Sequence, residues 1–149
     1  MKKSILTIAL GATLASSALI STQAAAVEGL STNVGLVSQY FFRGISQTDT
    51  ASASAGIDYE NGGFSVGAWT ADVQDGLEID LYGGYGGEFG GGVGYSVGFT
   101  TYQYTGGFDT SYNEINLGLS YGMFSLSYNV GEHEVEGGSD EDYDFLSLT

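Results

Sequence analysis

The sequence has no cysteine, no proline, one histidine and only three basic residues among 149. Without cysteine there is no disulfide framework, no thiolate zinc site and no thiol nucleophile. Three Lys and Arg against 18 Asp and Glu give a formal charge of -15. That balance opposes nucleic-acid binding, where cationic side chains must displace phosphate counterions. Helical periodicity is also missing after residue 26. What is present is 42% apolar residues, with 8 Phe, 11 Tyr and 25 Gly. So many aromatics exclude an acidic disordered tail. The length suits one domain, and the composition leans toward β-structure.

The one long apolar stretch is at the start. Lys2 and Lys3 precede a run over residues 5–20, and small residues follow, ending in Ala24, Ala25 and Ala26. This is the anatomy of a secretory signal peptide over residues 1–26. The alternative, an N-terminal anchor, needs about 20 apolar residues to span a bilayer. No cysteine follows that could carry a lipid. Residues 27–149 are then the exported domain, in which Arg43 stands alone against all 18 acids.

Period two runs through that domain. In 51–60, Ala51, Ala53, Ala55, Ile57 and Tyr59 alternate with Ser52, Ser54, Gly56, Asp58 and Glu60. Similar alternation covers 77–85, 93–101, 114–121 and 124–130, and less regular strands fit 31–43, 64–73 and 143–149. About eight strands are expected. Their connections alternate in length. Short turns fall at 61–63, 86–91 and 122–123; longer or more polar loops fall at 44–50, 72–76, 104–110 and 131–142. A meander with this asymmetry and an apolar stripe on every strand matches an all-β, antiparallel, up-and-down transmembrane β-barrel of eight or more strands.

A soluble β-sandwich or secreted barrel has the same alternation with the faces exchanged. Three features favour the membrane form. The polar stripe has no Lys, the residue that soluble sheets use to guard their edges. Tyr40, Phe42, Tyr59, Phe64, Tyr85, Tyr121 and Phe124 sit near strand ends, where interfacial girdles form. A closed meander also leaves no backbone group unpaired in lipid.

Residues 33–48, NVGLVSQYFFRGISQT, resemble the opening of the TorF family of proposed porins, which is also catalogued as a conserved bacterial domain of unknown function. Residues 63–73 (GFSVGAWTADV) and 77–85 (LEIDLYGGY) agree with it. The resemblance implies a signal peptide, an outer-membrane location and a pore role, and it supplies no substrate or catalytic residue. Members of that family are longer, and outer-membrane barrels usually end in an aromatic residue. This sequence stops at Leu148 and Thr149, so either terminal strands are missing, the favoured expectation, or the barrel is a small eight-stranded one with an unusual end.

With apolar faces toward lipid, Asp58, Glu60, Glu78, Asp80, Glu114 and Asn116 line the interior. Carboxylate rings there favour cations. The expected role is passive passage of small cationic or neutral solutes. The alternative is a closed structural or surface-interaction barrel, since eight strands are just wide enough for side chains to fill. Arg43, expected on the face of Gln39 and Phe41, is either a constriction residue or a structural tie among acids. The acidic stretch 131–142 offers Glu132, Glu134, Asp140 and Asp142 as weak ligands for a hard cation. His133 lacks a second nitrogen or sulfur ligand for zinc and is expected to be simply exposed. No nucleophile elbow or phosphate-binding glycine loop is in context, so no enzymatic activity and no cofactor are expected. The expected partners are outer-membrane lipid and small solutes or cations.

Overall fold

The computed structural model describes residues 27–149; the expected signal peptide, residues 1–26, lies outside the described residues. The strands are β1 (Leu30–Val37), β2 (Phe41–Phe42), β3 (Ile45–Ser46), β4 (Ser52–Asn61), β5 (Phe64–Val73), β6 (Gly76–Phe89), β7 (Val93–Tyr104), β8 (Tyr112–Tyr121), β9 (Phe124–His133) and β10 (Glu141–Leu148). Eight of them form one antiparallel sheet in the order β1-β4-β5-β6-β7-β8-β9-β10, and β2 and β3 pair separately as a small ribbon. With no proline anywhere, no ladder donor is removed from these strands. Each main strand pairs with its successor in the sheet, so the meander is all-β and up-and-down as expected. β1 and β10 each have one neighbour and do not pair with each other, which leaves the sheet open.

The turns set the register. Gly62 and Gly63, both at positive φ, join Asn61 to its partner Phe64. Two-residue hairpins need that backbone, which glycine adopts without a Cβ clash. Gly122, at positive φ, and Met123 join Tyr121 to Phe124, with only the glycine in that region, and residues 90–92 join Phe89 to Val93. At the opposite end, the expected 72–76 loop reduces to Gln74 and Asp75 between the partners Val73 and Gly76. The remaining connections there are long: 38–51, 105–111 and 134–140.

Two expected boundaries differ. Strand one ends at Val37 rather than Arg43: its pairing with β4 stops at Val37 and Ser52, and the chain then folds inward to a turn at Arg43 and Gly44, both at positive φ, between Phe42 and Ile45. The acidic 131–142 stretch is partly strand: Glu132 and His133 end β9, and Glu141 and Asp142 open β10 opposite them.

The faces are sorted as period two requires. Val34, Leu36, Ile57, Val66, Leu81 and Leu117 are exposed on one face, Leu36 at 66%. Ser52, Glu78, Asp80, Thr100, Glu114 and Asn116 are buried on the other. That second face is curled around the β2–β3 ribbon. Tyr40, just before the ribbon, touches Trp69 on β5, while Arg43 at its tip lies over Phe145 on β10. On a flat sheet those two strands would be about 24 Å apart. Aromatic residues Tyr59, Phe64, Phe89, Tyr121 and Phe124 are exposed at the short-turn end. Phe64 contacts Tyr85 at 4.8 Å and Phe89 stacks on Tyr95 at 4.3 Å. Tyr40 and Phe42, expected in the same girdle, point inward instead, because the chain has already left β1 and folds back across the sheet.

Candidate functional site

The inner face is built around the segment that follows β1. Tyr40 N–H donates to Thr48 Oγ1 at 2.9 Å, and Gln47 N–H donates to the Tyr40 carbonyl at 2.8 Å, closing the segment into a loop. Tyr40 is 2% exposed and packs with Ala71, Val73 and Trp69. Phe42 contacts the Tyr102 ring at 5.6 Å. These apolar anchors press the turn onto the sheet and aim Arg43 into it.

Arg43 meets Glu114 as a two-pronged pair: Nη1 donates to Oε2 at 2.7 Å and Nη2 to Oε1 at 2.9 Å. Glu114 is 1% exposed. It also accepts from Tyr102 Oη at 3.3 Å, Tyr143 Oη at 3.1 Å and Asn116 Nδ2. Thr100 Oγ1 and Asn129 Oδ1 bond to Asn116 in turn. The rings of Phe42 and Phe145 each lie 4.7 Å from the guanidinium carbon. Burial works against the charge on Arg43, but the bonds and attraction to Glu114 outweigh it and raise the guanidinium above its ordinary value. Arg43 is also the only described non-glycine residue at positive φ, 48°. Such a backbone persists where surrounding contacts over-determine it. Gly131 is part of the same construction: a Cβ there would come within 2.6 Å of the Tyr143 ring.

Of the expected interior residues, Arg43, Glu114 and Asn116 are therefore joined directly. Arg43 lies inward on a turn, rather than on a strand face shared with Gln39 and Phe41; Phe41 is exposed. Glu78 and Asp80 form a second buried group on β6. Asp58 is separate from both, accepting from Tyr82 Oη at 2.5 Å and Asn33 Nδ2 at 3.4 Å. Glu60 is half-buried near the short turns.

The cation ligands expected at the acidic end do not converge. Among the described residues, no three His, Cys, Asp or Glu side chains are grouped to hold a metal ion. Glu132 and Asp142 face each other across β9 and β10 and are exposed. Glu134 is engaged by the Ser111 hydroxyl, and Asp140 is exposed in the loop. His133, expected to be simply exposed, is instead stacked on Tyr112 at 4.0 Å and 7°, with Nε2 2.9 Å from Thr110 Oγ1 and 3.2 Å from Asp109 Oδ1. The pairing of β9 with β8 sets Tyr112 opposite His133 and produces that stack.

The tyrosines were the omission from the expected site. Tyr102 and Tyr104 share strand parity with Thr100, and Tyr143 shares it with Ser147. Parity is the available signal for them.

Comparison with known proteins comes down to one family. A model described as "Bacterial protein of unknown function (Gcw_chp)" matches residues 21–149. The chain belongs to this family. No curated protein and no solved structure matches it. Membership in Gcw_chp agrees with the TorF resemblance at the level of a bacterial family of unknown function and carries no porin naming. The Gcw_chp match includes every residue of both buried acidic groups and the whole inward loop.

Proposed function

We propose that this Gcw_chp member is a non-enzymatic outer-membrane β-barrel that passes small cationic or neutral solutes along an acidic interior, with the Arg43 turn as its constriction. The observation that carries this reading is sidedness. The outer face presents Val34, Leu36, Ile57, Val66, Leu81 and Leu117 to the surroundings, while the enclosed face holds Glu78, Asp80, Glu114 and Asn116. Water would select the reverse arrangement, because burying apolar area is what stabilises a soluble sheet. Main-sheet strands of 8 to 14 residues suit a crossing that takes about 9–11 tilted residues. The exposed aromatics at the short-turn end fit an interfacial girdle. In lipid, the free edges of β1 and β10 must be paired, with each other or with further strands, since unpaired backbone groups there are costly.

A second reading, a non-conducting structural barrel, is favoured by one observation. The Arg43–Glu114 pair, Phe42 and Tyr40 occupy the enclosed face, and eight strands enclose little more than side chains. Planar-bilayer recording separates the two. The pore reading expects discrete, cation-preferring conductance that rises in Arg43→Ala. Silence from folded, heat-modifiable protein assigns the chain to the structural reading. Anion preference would remove the electrostatic part of the pore reading.

A further inference from the structure

Glu114 is buried and satisfied; the other buried acidic group is not. Glu78 and Asp80 are two residues apart on the inner face of β6. Their register partners are Ala71 and Trp69 on β5, and Tyr104 and Tyr102 on β7. Tyr40 lies over this patch, its ring 5.8 Å from Trp69. Glu78 is 0% exposed and Asp80 9%. Tyr104 Oη donates to Glu78 Oε1 at 3.3 Å and the Tyr40 hydroxyl also approaches this carboxylate, yet Glu78 Oε2 and Asp80 Oδ1 are enclosed with no donor at hydrogen-bonding distance among the described residues.

Buried carboxylate oxygens are normally hydrogen-bonded, paired with a charge or bound to a metal. Arg43 is the only Lys or Arg among residues 27–149, and it is committed to Glu114. Side chains two apart on one strand face arise about 6.6 Å from each other. An ion with oxygen ligands at 2.3–2.6 Å can bridge two carboxylates that lean together from that spacing. One divalent ion would balance both charges.

We propose that Glu78 Oε2 and Asp80 Oδ1 bind a hard divalent cation of the calcium class, with water filling the remaining positions. Two carboxylates place the affinity in the weak range, with Kd of about 10⁻⁴–10⁻³ M. The site goes beyond the pore reading and does not need an open lumen. It is distinct from the exposed Glu132, Glu134, Asp140 and Asp142, which do not converge.

Terbium luminescence tests it, because Tb³⁺ occupies calcium-class sites and is sensitised by nearby aromatic rings; Tyr40, Tyr104 and Trp69 all border this one. The full-length chain folded in detergent micelles is expected to give saturable Tb³⁺ emission that Ca²⁺ displaces. Asp80→Asn should weaken binding at least about tenfold, and the Glu132→Gln/Asp142→Asn double variant should leave it unchanged. Asp80 makes no side-chain hydrogen bond among the described residues, so the Asn variant keeps the fold; heat-modifiable migration checks that. Glu78→Gln provides a second variant with the same expected loss. No saturable emission from folded wild-type protein overturns the site and leaves a shared proton as the neutralising group. Equal affinity in Asp80→Asn also overturns it. Bilayer current is read separately, so saturable emission without conductance removes only the pore reading, and conductance without emission removes only the cation site.

Discussion

Arg43→Glu is expected to prevent the chain from reaching its folded state, and Arg43→Ala to cost about 3–5 kcal/mol, the range for breaking a buried ion pair from one side. Both oxygens of Glu114 are engaged by the guanidinium, and Glu114 is 1% exposed. Removing Arg43 leaves that carboxylate with the weaker donors Tyr102, Tyr143 and Asn116. Reversal to Glu adds a second negative charge at contact distance. Arg43→Gly should be milder than Arg43→Ala by about 1 kcal/mol, because the position is at positive φ and only Ala carries the Cβ penalty. Urea unfolding in micelles, followed through Trp69, the only tryptophan, measures all three. A wild-type midpoint in Arg43→Glu with altered ion selectivity would make Arg43 a selectivity residue without a structural role.

Leu117→Arg carries the next largest expected effect, and it bears on the outer face. Leu117 lies mid-strand on β8 and is 43% exposed. On a surface facing water, such a substitution changes stability by about 0.5 kcal/mol or less. At the midplane of a bilayer it costs about 2–4 kcal/mol, falling to about 0–1 kcal/mol near the interface. Tyr121→Arg, four residues along the same face at the short-turn end, should therefore be the milder change. Equilibrium unfolding from phospholipid vesicles gives both values. Equal, near-zero costs at the two positions would put the outer face in water.

Much of the architecture was legible because period two and glycine turns are local signals. Ala51 to Glu60 alternates so regularly that the residues sharing each face can be assigned from it, and β4 follows that division. The same parity groups Asp58, Glu60, Glu78, Asp80 and Glu114 on the polar faces of their strands, while the direction of those faces rests on the membrane reading. Arg43 was harder. Its inward aim depends on a turn at Arg43 and Gly44, and Arg is an uncommon residue at positive φ. Gly44 marks a turn locally but nothing local marks Arg43 as part of it; contacts with Glu114 and Phe145, about 70 and 100 positions away, hold it. Tyr102 and Tyr143 are hard to place for a related reason. Their burial depends on Glu114 offering acceptors across the sheet, which is tertiary information. His133 was assigned to a loop because its neighbours are acidic, whereas pairing with Tyr112 extends β9 through it.

The central claim is that the apolar face meets lipid and the acidic face does not. The absence of native cysteine allows single-cysteine spin labels at successive β8 positions, 115 to 119, in protein reconstituted into vesicles. Collision rates with oxygen, which partitions into lipid, and with a polar paramagnetic complex, which stays in water, then read each position. Ile115, Leu117 and Leu119 should be oxygen-accessible and shielded from the polar reagent, with Asn116 and Gly118 showing low oxygen accessibility in a two-residue alternation. If the polar reagent instead reached positions 115, 117 and 119 freely, the apolar face would lie in water and the membrane assignment would be contradicted.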